Sequence, residues 1–191
     1  DYSSISSWTN RNRWNLANVH DPSVAFYDGY YYMYGTDASY GNAAEGHGHF
    51  QGKRSKDLVN WEWIGGPFYD PPSWVVDSLN DIRSRMGLGA IDRDNIIYLY
   101  WAPVVRRVNA GGQEILRMYY CIVIDNYIKT GKANTSANFD GSWTERAFIG
   151  MCESTDPAGA VWTDRGFVTC SSSDRGLNYT RASLNDWSAY F

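Results

Sequence analysis

The stretch VHDPSVAFYDGYYYMYGT, residues 19–36, contains two strand-like runs on either side of a turn dipeptide. The runs are Ser23–Tyr27 and Tyr30–Thr36, and Asp28-Gly29 separates them. Asp-Gly between alternating apolar and aromatic residues is among the strongest short-range signals for a β-hairpin. The stretch therefore predicts an antiparallel hairpin at the start of a β-sheet.

Asp21 lies just before the first of these strands, between a histidine and a proline. Pro22 fixes the backbone and has no N–H to donate to a strand ladder. A side chain at the end of a rigid strand is well placed for catalysis, because the scaffold holds it still. Asp21 is therefore the first candidate catalytic residue.

The composition indicates one globular domain rich in aromatic residues. With 191 residues, 43% of them hydrophobic and 20% charged, the chain is long enough to bury a sizeable core. Aromatic residues make up 16% of it, including 9 Trp and 15 Tyr. Such residues suit pleated, half-buried surfaces and also offer flat faces for sugar rings, and the structural use is the simpler interpretation.

The charge pattern argues against nucleic acid and membranes as partners. The net charge is −4 and no cluster of Lys and Arg is present, whereas phosphate binding needs a basic surface. No run of 18 apolar residues occurs, so no membrane span is predicted. The sequence opens at Asp1 without a signal peptide, as either a processed or a trimmed chain would.

The three cysteines form no metal-type spacing. Cys121, Cys152 and Cys170 lie in strand-like segments, and buried free thiols are the favoured interpretation. One disulfide, for instance between Cys121 and Cys152, stays open if the compartment is oxidising. The spacing of the three histidines, His20, His47 and His49, fits no standard metal site either.

Further along the chain the pattern predicts more strands and one helix. An extended lead-in is expected over 1–18. The strand Tyr30–Thr36 has apolar residues on both faces, so both of its faces are expected to be buried. Val75–Met86 has one apolar stripe of helical period, and Gly87 follows as a C-terminal stop. The other predicted segments are strands at His49–Ser55 and Trp61–Gly65 around a turn at Lys56–Asn60, then strands at Ile96–Val105, Glu114–Ile124, Ala147–Glu153 and Val161–Thr169, with a polar loop at 125–142.

The two sets of strands form an internal repeat. FQGKRSKDLVNWEWIGGPF aligns with FIGMCESTDPAGAVWTDRGFV, and each contains Ser-x-Asp, then Trp, Gly and Phe. A repeated four-stranded antiparallel unit is typical of a β-propeller, with a sandwich or barrel as alternatives that leave the repeat unexplained. We assign blade 1 to about 19–68, a helical insertion to 75–87, blade 2 to 95–169, and the lead to a third blade to 170–191.

The motifs VHDPSV, YYYMYGT, SKDLVNW and WAP, in this order, resemble glycoside hydrolase family 43. This resemblance implies an all-β, five-bladed propeller, of which this chain supplies about two blades and the start of a third as the N-terminal portion. It implies an inverting glycosidase of the arabinanase, arabinofuranosidase or β-xylosidase type.

The resemblance also implies roles for individual residues. Asp21 is expected to be the general base that activates water, and Trp101 to line the central funnel. Where the family usually has an acid after the proline of WAP, this chain has Val104. The general acid and the carboxylate that tunes its pKa are expected from later blades, outside this chain.

Other acidic residues are weaker candidates. Asp37 could line the funnel and bind substrate, and His20 is expected to orient the loop of Asp21 and to contact substrate. Glu153 aligns with Arg54 and is expected on the blade rim. Asp57 and Asp156 are expected to bond their own backbone amides in outer turns, and Glu45 to be solvated.

The predicted function is hydrolysis of an arabinose-containing plant polysaccharide, with arabinan ahead of xylan side chains. A β-fructosidase-type propeller fits less well, because that group opens with Asn-Asp-Pro. A non-catalytic carbohydrate-binding propeller is the other alternative. No cofactor is expected for the chemistry, a structural calcium or other cation at the propeller centre stays open, and the expected partners are the oligo- or polysaccharide and the remaining blades. The expected localisation is secreted or periplasmic.

Overall fold

The computed structural model describes residues 19–37, 48–85, 87, 89–124 and 146–170. Several predicted features lie outside these residues: the lead-in 1–18, Glu45, His47, Met86, the loop at 125–142 and the run after Cys170. The described elements are β1 Ser23–Tyr27, β2 Tyr30–Tyr34, β3 Gly52–Ser55, β4 Glu62–Trp63, α1 Ser73–Arg85, a 3₁₀ helix at Arg93–Asn95, β5 Tyr98–Ala110, β6 Gln113–Ile124, β7 Arg146–Asp156 and β8 Val161–Cys170.

The predicted hairpin is present. β1 and β2 pair antiparallel with Tyr27 opposite Tyr30, so only Asp28 and Gly29 form the loop. Both loop residues have positive φ, 45° and 76°, as a type I′ turn requires. β3 and β4 continue the antiparallel sheet in the order β1-β2-β3-β4.

The third and fourth strands of the first sheet are shorter than the sequence pattern predicts. The third strand begins at Gly52, not at His49, because Phe50 has φ 58° and interrupts the ladder. His49 instead forms an isolated bridge with Phe68. The fourth strand is only Glu62–Trp63.

The second sheet has the same order, β5-β6-β7-β8. β5 and β6 are joined by Gly111 and Gly112, whose φ values of 62° and 91° allow a two-residue turn that makes the strands antiparallel. β5 extends five residues beyond the predicted end at Val105. Strand pairing uses backbone groups, so a residue with a charged side chain, such as Arg106, can belong to the strand when that side chain lies on the exposed face.

The prediction of two four-stranded units is thus confirmed, and the described residues form an all-β fold with one α-helix. The repeated Ser-x-Asp turns have matching chemistry. The Ser55 hydroxyl accepts the Asp57 N–H at 3.2 Å, and the Ser154 hydroxyl accepts the Asp156 N–H at 3.0 Å. The two sheets therefore repeat their turn geometry as well as their strand order.

The chain divides into two compact units, each with its own core. Among the described residues, the first unit contains 19–37, 48–72, 100–121 and 150–166, and Phe50 packs there against Phe68, Tyr100 and Tyr120 with ring centroids 5.4–6.2 Å apart. The second unit contains the predicted helix, whose stripe Val75, Leu79 and Ile82 is buried. Gly87, φ 72°, ends this helix and donates its N–H to the Ser84 carbonyl at 2.9 Å.

The hairpin leaves one apolar face open. Tyr32 and Tyr34 are buried on one side of β2, as predicted. On the other side Met33 is half-buried, and Val24 and Phe26 of β1 are 41% and 46% exposed. The expectation that this strand is buried on both faces is therefore met on one face only.

Candidate active site

Asp21 stands two residues before β1 in an unusual backbone conformation. Its φ is 47°, in the left-handed region that Asp and Asn enter more readily than other residues with a Cβ. Its side chain is 48% exposed. The carboxylate is therefore rigidly mounted but open to solvent, and backbone outliers of this kind cluster at functional sites.

One oxygen of the Asp21 carboxylate is held by two neighbours. The Thr36 hydroxyl donates to Oδ2 at 2.8 Å, and His20 Nδ1 lies 2.9 Å from the same oxygen. Among the described residues, Oδ1 makes no hydrogen bond. His20 is thus in contact with Asp21, its role in orienting the loop of Asp21 stays a prediction, and one carboxylate oxygen is left for solvent.

These contacts also set the charge of Asp21. The hydrogen bond from Thr36 lowers the pKa of its carboxyl group, the partial burial works against this, and His20 lowers the pKa further. A carboxylate that stays ionised at mildly acidic pH can accept a proton from water. The arrangement is chemically suited to a general base.

Backbone groups of β5 form three hydrogen bonds with the residues around Asp21 and the hairpin. The Ala102 N–H donates to the Thr36 hydroxyl at 2.7 Å, and the Val105 N–H donates to the Ser23 hydroxyl at 2.9 Å. The Asp37 N–H donates to the Tyr100 carbonyl at 2.9 Å. The first part of β5 is thus bonded to both chain segments at the open end of the hairpin, next to Asp21.

Asp37 is closely surrounded. Its carboxylate is 8% exposed, with Oδ2 2.5 Å from His49 Nδ1 and Oδ1 accepting the Phe50 N–H at 2.8 Å. The His49 ring stacks on Tyr100 at 3.6 Å between centroids. The described contacts of Asp37 therefore brace the start of β5, and its role toward substrate stays a prediction.

Trp101 lies on β5 between Tyr100 and Ala102 and is 42% exposed. Ala102 has φ 42°, so the strand departs from extended geometry directly after this tryptophan. Val104, at the position where an acid was expected, is 43% exposed. The structure brings His20 into contact with Asp21, and it brings Asp37 and Trp101 nearby as chain neighbours of Thr36 and Ala102.

The rival acids are engaged in structural contacts. Glu153 pairs with Arg117 at 2.6 Å and with Arg165 at 2.9 Å. Asp57 accepts the Val59 and Asn60 N–H groups at 2.9 and 2.7 Å. Asp156 accepts the Gly159 N–H at 2.9 Å, so the predicted capping role of both turn aspartates is confirmed.

The described residues offer no metal site. No group of three or more His, Cys, Asp or Glu side chains in this part of the chain is placed to hold an ion. The cysteines are free thiols: Cys152 is buried, as predicted, whereas Cys121 and Cys170 are only half-buried. None of the described helices has the length and apolarity needed to cross a bilayer.

No family model matches the chain. A curated relative does: the chain is 32% identical over 109 residues to an extracellular endo-α-(1→5)-L-arabinanase of Thermotoga petrophila, a match that covers 57% of this chain and 18% of the relative. The resemblance of the chain to arabinanases is confirmed by this match. The match extends over a small part of the relative's length.

Solved structures of arabinanases are also similar to the chain. A Bacillus subtilis arabinanase has a TM-score of 0.49 and 23% identity, with 82% of this chain and 40% of that chain covered. A family 43 endo-arabinanase from Bacillus licheniformis has a TM-score of 0.46 and 20% identity, with 82% and 39% covered.

Sequence reasoning missed Thr36, although a signal for it was present. The hairpin register pairs Ser23 with Tyr34, and extending it by two residues places Thr36 opposite Asp21. The Asp28-Gly29 turn alone fixes this register, since a two-residue loop determines every pair of the hairpin. A hydroxyl residue opposite the candidate base could therefore have been identified from the sequence.

Proposed function

We propose that this chain is the N-terminal portion of a five-bladed β-propeller glycoside hydrolase that cleaves arabinan with inversion, and that Asp21 is its general base. The mounting of Asp21 is the observation that supports this best. Its carboxylate is solvent-accessible, has one oxygen held by Thr36 and His20, and has a pKa below its usual range.

The chemistry of inversion requires two carboxyl groups on opposite sides of the scissile bond. The base takes a proton from a water molecule, whose oxygen attacks the anomeric carbon while the acid protonates the departing oxygen. The two groups stand roughly 6.5–9.5 Å apart to leave room for the water. We assign the proton-accepting oxygen to Oδ1 of Asp21, because Oδ2 is already occupied.

The general acid and the carboxylate that tunes it are assigned to residues beyond this chain. Glu153 pairs with two arginines, and Asp57 and Asp156 cap turns. These three carboxylates therefore have structural roles and are not assigned as the acid. The exposed apolar face at Val24 and Phe26 is a suitable surface for a further blade. The match covers 18% of the length of the curated relative, which leaves ample sequence for both.

The substrate and the localisation are taken from the relative. That protein is named an extracellular endo-α-(1→5)-L-arabinanase, so we propose α-1,5-linked arabinan as substrate and secretion or a periplasmic location for this protein. Exposed Trp101 is proposed to stack against a sugar ring, and His20 and Asp37 to lie along the same cleft.

The test is Asp21→Asn in the full-length protein that contains this chain. Hydrolysis of linear arabinan, followed by reducing ends, should fall by about 10²–10⁴-fold because the base is lost. Binding of arabinan in affinity electrophoresis should stay within a few-fold, and NMR of the wild-type reaction should show the inverted anomer first.

Four outcomes would contradict the proposal or one of its parts. Undiminished turnover by Asp21→Asn removes the base assignment, and an initial product of retained configuration removes the inverting mechanism. A wild-type protein that binds arabinan without cleaving it is a binding module. Release of arabinose from arabinoxylan in preference to arabinan points to the arabinofuranosidase alternative.

A further inference from the structure

We propose that Thr36 is a positioning residue for the base: its hydroxyl selects which oxygen of Asp21 is presented to the reacting water and ties that oxygen to strand β5. This inference rests on the proposed role of Asp21. It concerns a residue that acts through its neighbour, since Thr36 itself is 8% exposed.

The direction of the Thr36 hydroxyl is fixed by its partners. A hydroxyl has one hydrogen to donate and two lone pairs to accept with. The Ala102 backbone N–H can only donate, and at 2.7 Å it occupies a lone pair of the Thr36 oxygen. The single hydrogen is then directed to Asp21 Oδ2, 2.8 Å away. Burial of Thr36 keeps water from competing for these bonds.

This arrangement makes the two oxygens of Asp21 unequal. Oδ2 accepts from Thr36 and faces His20 Nδ1, whereas Oδ1 has no hydrogen-bond partner among the described residues. His20 is the titratable group whose charge acts on Asp21, and Ala102 approaches Thr36 only through its backbone. The oxygen with free lone pairs is the one that can take a proton from water.

The backbone around Thr36 is shaped for the same contact. The Thr36 N–H donates to the His20 carbonyl at 2.9 Å, which brings the two chain segments close together. A Cβ at Gly35 would lie 2.8 Å from that carbonyl oxygen, closer than side chains tolerate. Gly35 thus permits the approach, and the β-branched side chain of Thr36, stiff at χ1, then reaches Asp21 in one orientation.

The contact also couples two parts of the cleft. Ala102 directly follows Trp101, the exposed aromatic that we propose to stack on a sugar ring. The Thr36 hydroxyl therefore fixes the position of the proposed base relative to β5, the strand that contains Trp101. A displacement of about 1 Å between such groups can cost about 100-fold in rate, so the coupling has kinetic consequences.

The test uses three variants of the full-length protein with arabinan as substrate. Thr36→Val keeps the shape and removes the hydroxyl, Thr36→Ser restores it, and Ser23→Ala removes the other hydroxyl that accepts an N–H from β5 without touching Asp21. For Thr36→Val we expect kcat to fall about tenfold or more and the acid limb of kcat/KM to move up by roughly half to one pH unit. Thr36→Ser should return both values toward the wild type, and Ser23→Ala should leave the acid limb in place.

The inference is overturned if Thr36→Val keeps the wild-type kcat and acid limb, or if Ser23→Ala moves the acid limb as far as Thr36→Val does. A second measurement separates this failure from failure of the proposed function. The ¹³C signal of the Asp21 carboxyl, identified by its loss in Asp21→Asn, should titrate at higher pH in Thr36→Val. If it does while Asp21→Asn stays active, the contact is real but the base assignment and the positioning role are both wrong.

Discussion

Replacing Glu153 with glutamine should destabilise the protein without slowing catalysis. Glu153 lies in β7, and its side chain is only 12% exposed. Oε1 accepts two hydrogen bonds from Arg117 of β6, at 2.9 and 2.6 Å, and Oε2 accepts one from Arg165 of β8 at 2.9 Å. The carboxylate thus joins three neighbouring strands of the second sheet.

The size of the effect follows from these contacts. Hydrogen bonds to a charged group contribute about 1.5–3 kcal/mol, and the pair with Arg117 is the better shielded one, since that arginine is 29% exposed. Arg165 is 51% exposed, so its contact adds roughly 0–1 kcal/mol. Glutamine removes the charge and points an NH₂ group at one guanidinium. We therefore expect Glu153→Gln to lower the free energy of unfolding by about 2–3 kcal/mol.

The assay is urea unfolding of the full-length protein between pH 3 and pH 8, with Glu114→Gln as the control. Glu114 and Arg107 are 3.7 Å apart and 60% and 49% exposed, so this variant should stay within about 0.5 kcal/mol of the wild type. The hydrogen bonds from Arg117, partly offset by burial and reinforced by Arg165, lower the pKa of Glu153 below its ordinary 4.5. Its stabilisation is therefore complete above about pH 4.5 and is lost as the pH falls through the folded-state pKa.

The refuting result is specific. A wild-type urea midpoint for Glu153→Gln, together with a large loss of kcat on arabinan, would show that this carboxylate is a catalytic group and not a strand brace. Equal destabilisation by Glu114→Gln would show that exposed and shielded ion pairs contribute equally to the free energy of unfolding, which would contradict the expected effect of shielding.

Two further perturbations test the packing around the hairpin. Gly35→Ala places a Cβ 2.8 Å from the His20 carbonyl oxygen, so we expect a loss of about 1–3 kcal/mol in urea unfolding and a lower kcat, because the contact between Thr36 and Asp21 moves; an unchanged kcat would contradict this. Lys53 is 3% exposed, and burial lowers its pKa from 10.5 to about 8, so the unfolded chain binds more protons between these values. From pH 8 to 10.5 the wild type should gain up to roughly 3 kcal/mol of stability relative to Lys53→Met, and parallel pH profiles of the two proteins would refute this.

Local sequence signals predicted the strands and turns because each depends on residues close together in the chain. The Asp28-Gly29 dipeptide gave the hairpin, and the Ser-x-Asp repeats gave two turns with the same hydrogen bonds. Strand ends were less accurate. β5 continues past Val105 because backbone pairing with β6 does not require apolar side chains. β3 begins later than predicted because Phe50 has a positive φ, which the sequence pattern does not indicate.

The site was predicted in part. Asp21 and His20 were candidates because of their position before β1, and their side chains are in contact. The link from Thr36 to Ala102 could not be predicted, because it joins residues 66 positions apart and depends on how β5 is attached to the hairpin. The tight enclosure of Asp37 by His49 and Phe50 has the same origin, since it arises only when the loop after β2 has closed.

The left-handed backbone of Asp21 limits which residues can replace it over evolutionary time. At φ 47°, glycine fits without strain, and asparagine and aspartate tolerate the conformation better than most other residues, before any chemistry is considered. Glutamate has the same charge but lacks the short side chain that tolerates this conformation. With Asp21 as the proposed base, we expect a descendant that loses hydrolysis while keeping the fold to have asparagine or glycine at this position. Such a substitution would mark, in a sequence alone, the change from an enzyme to a sugar-binding protein.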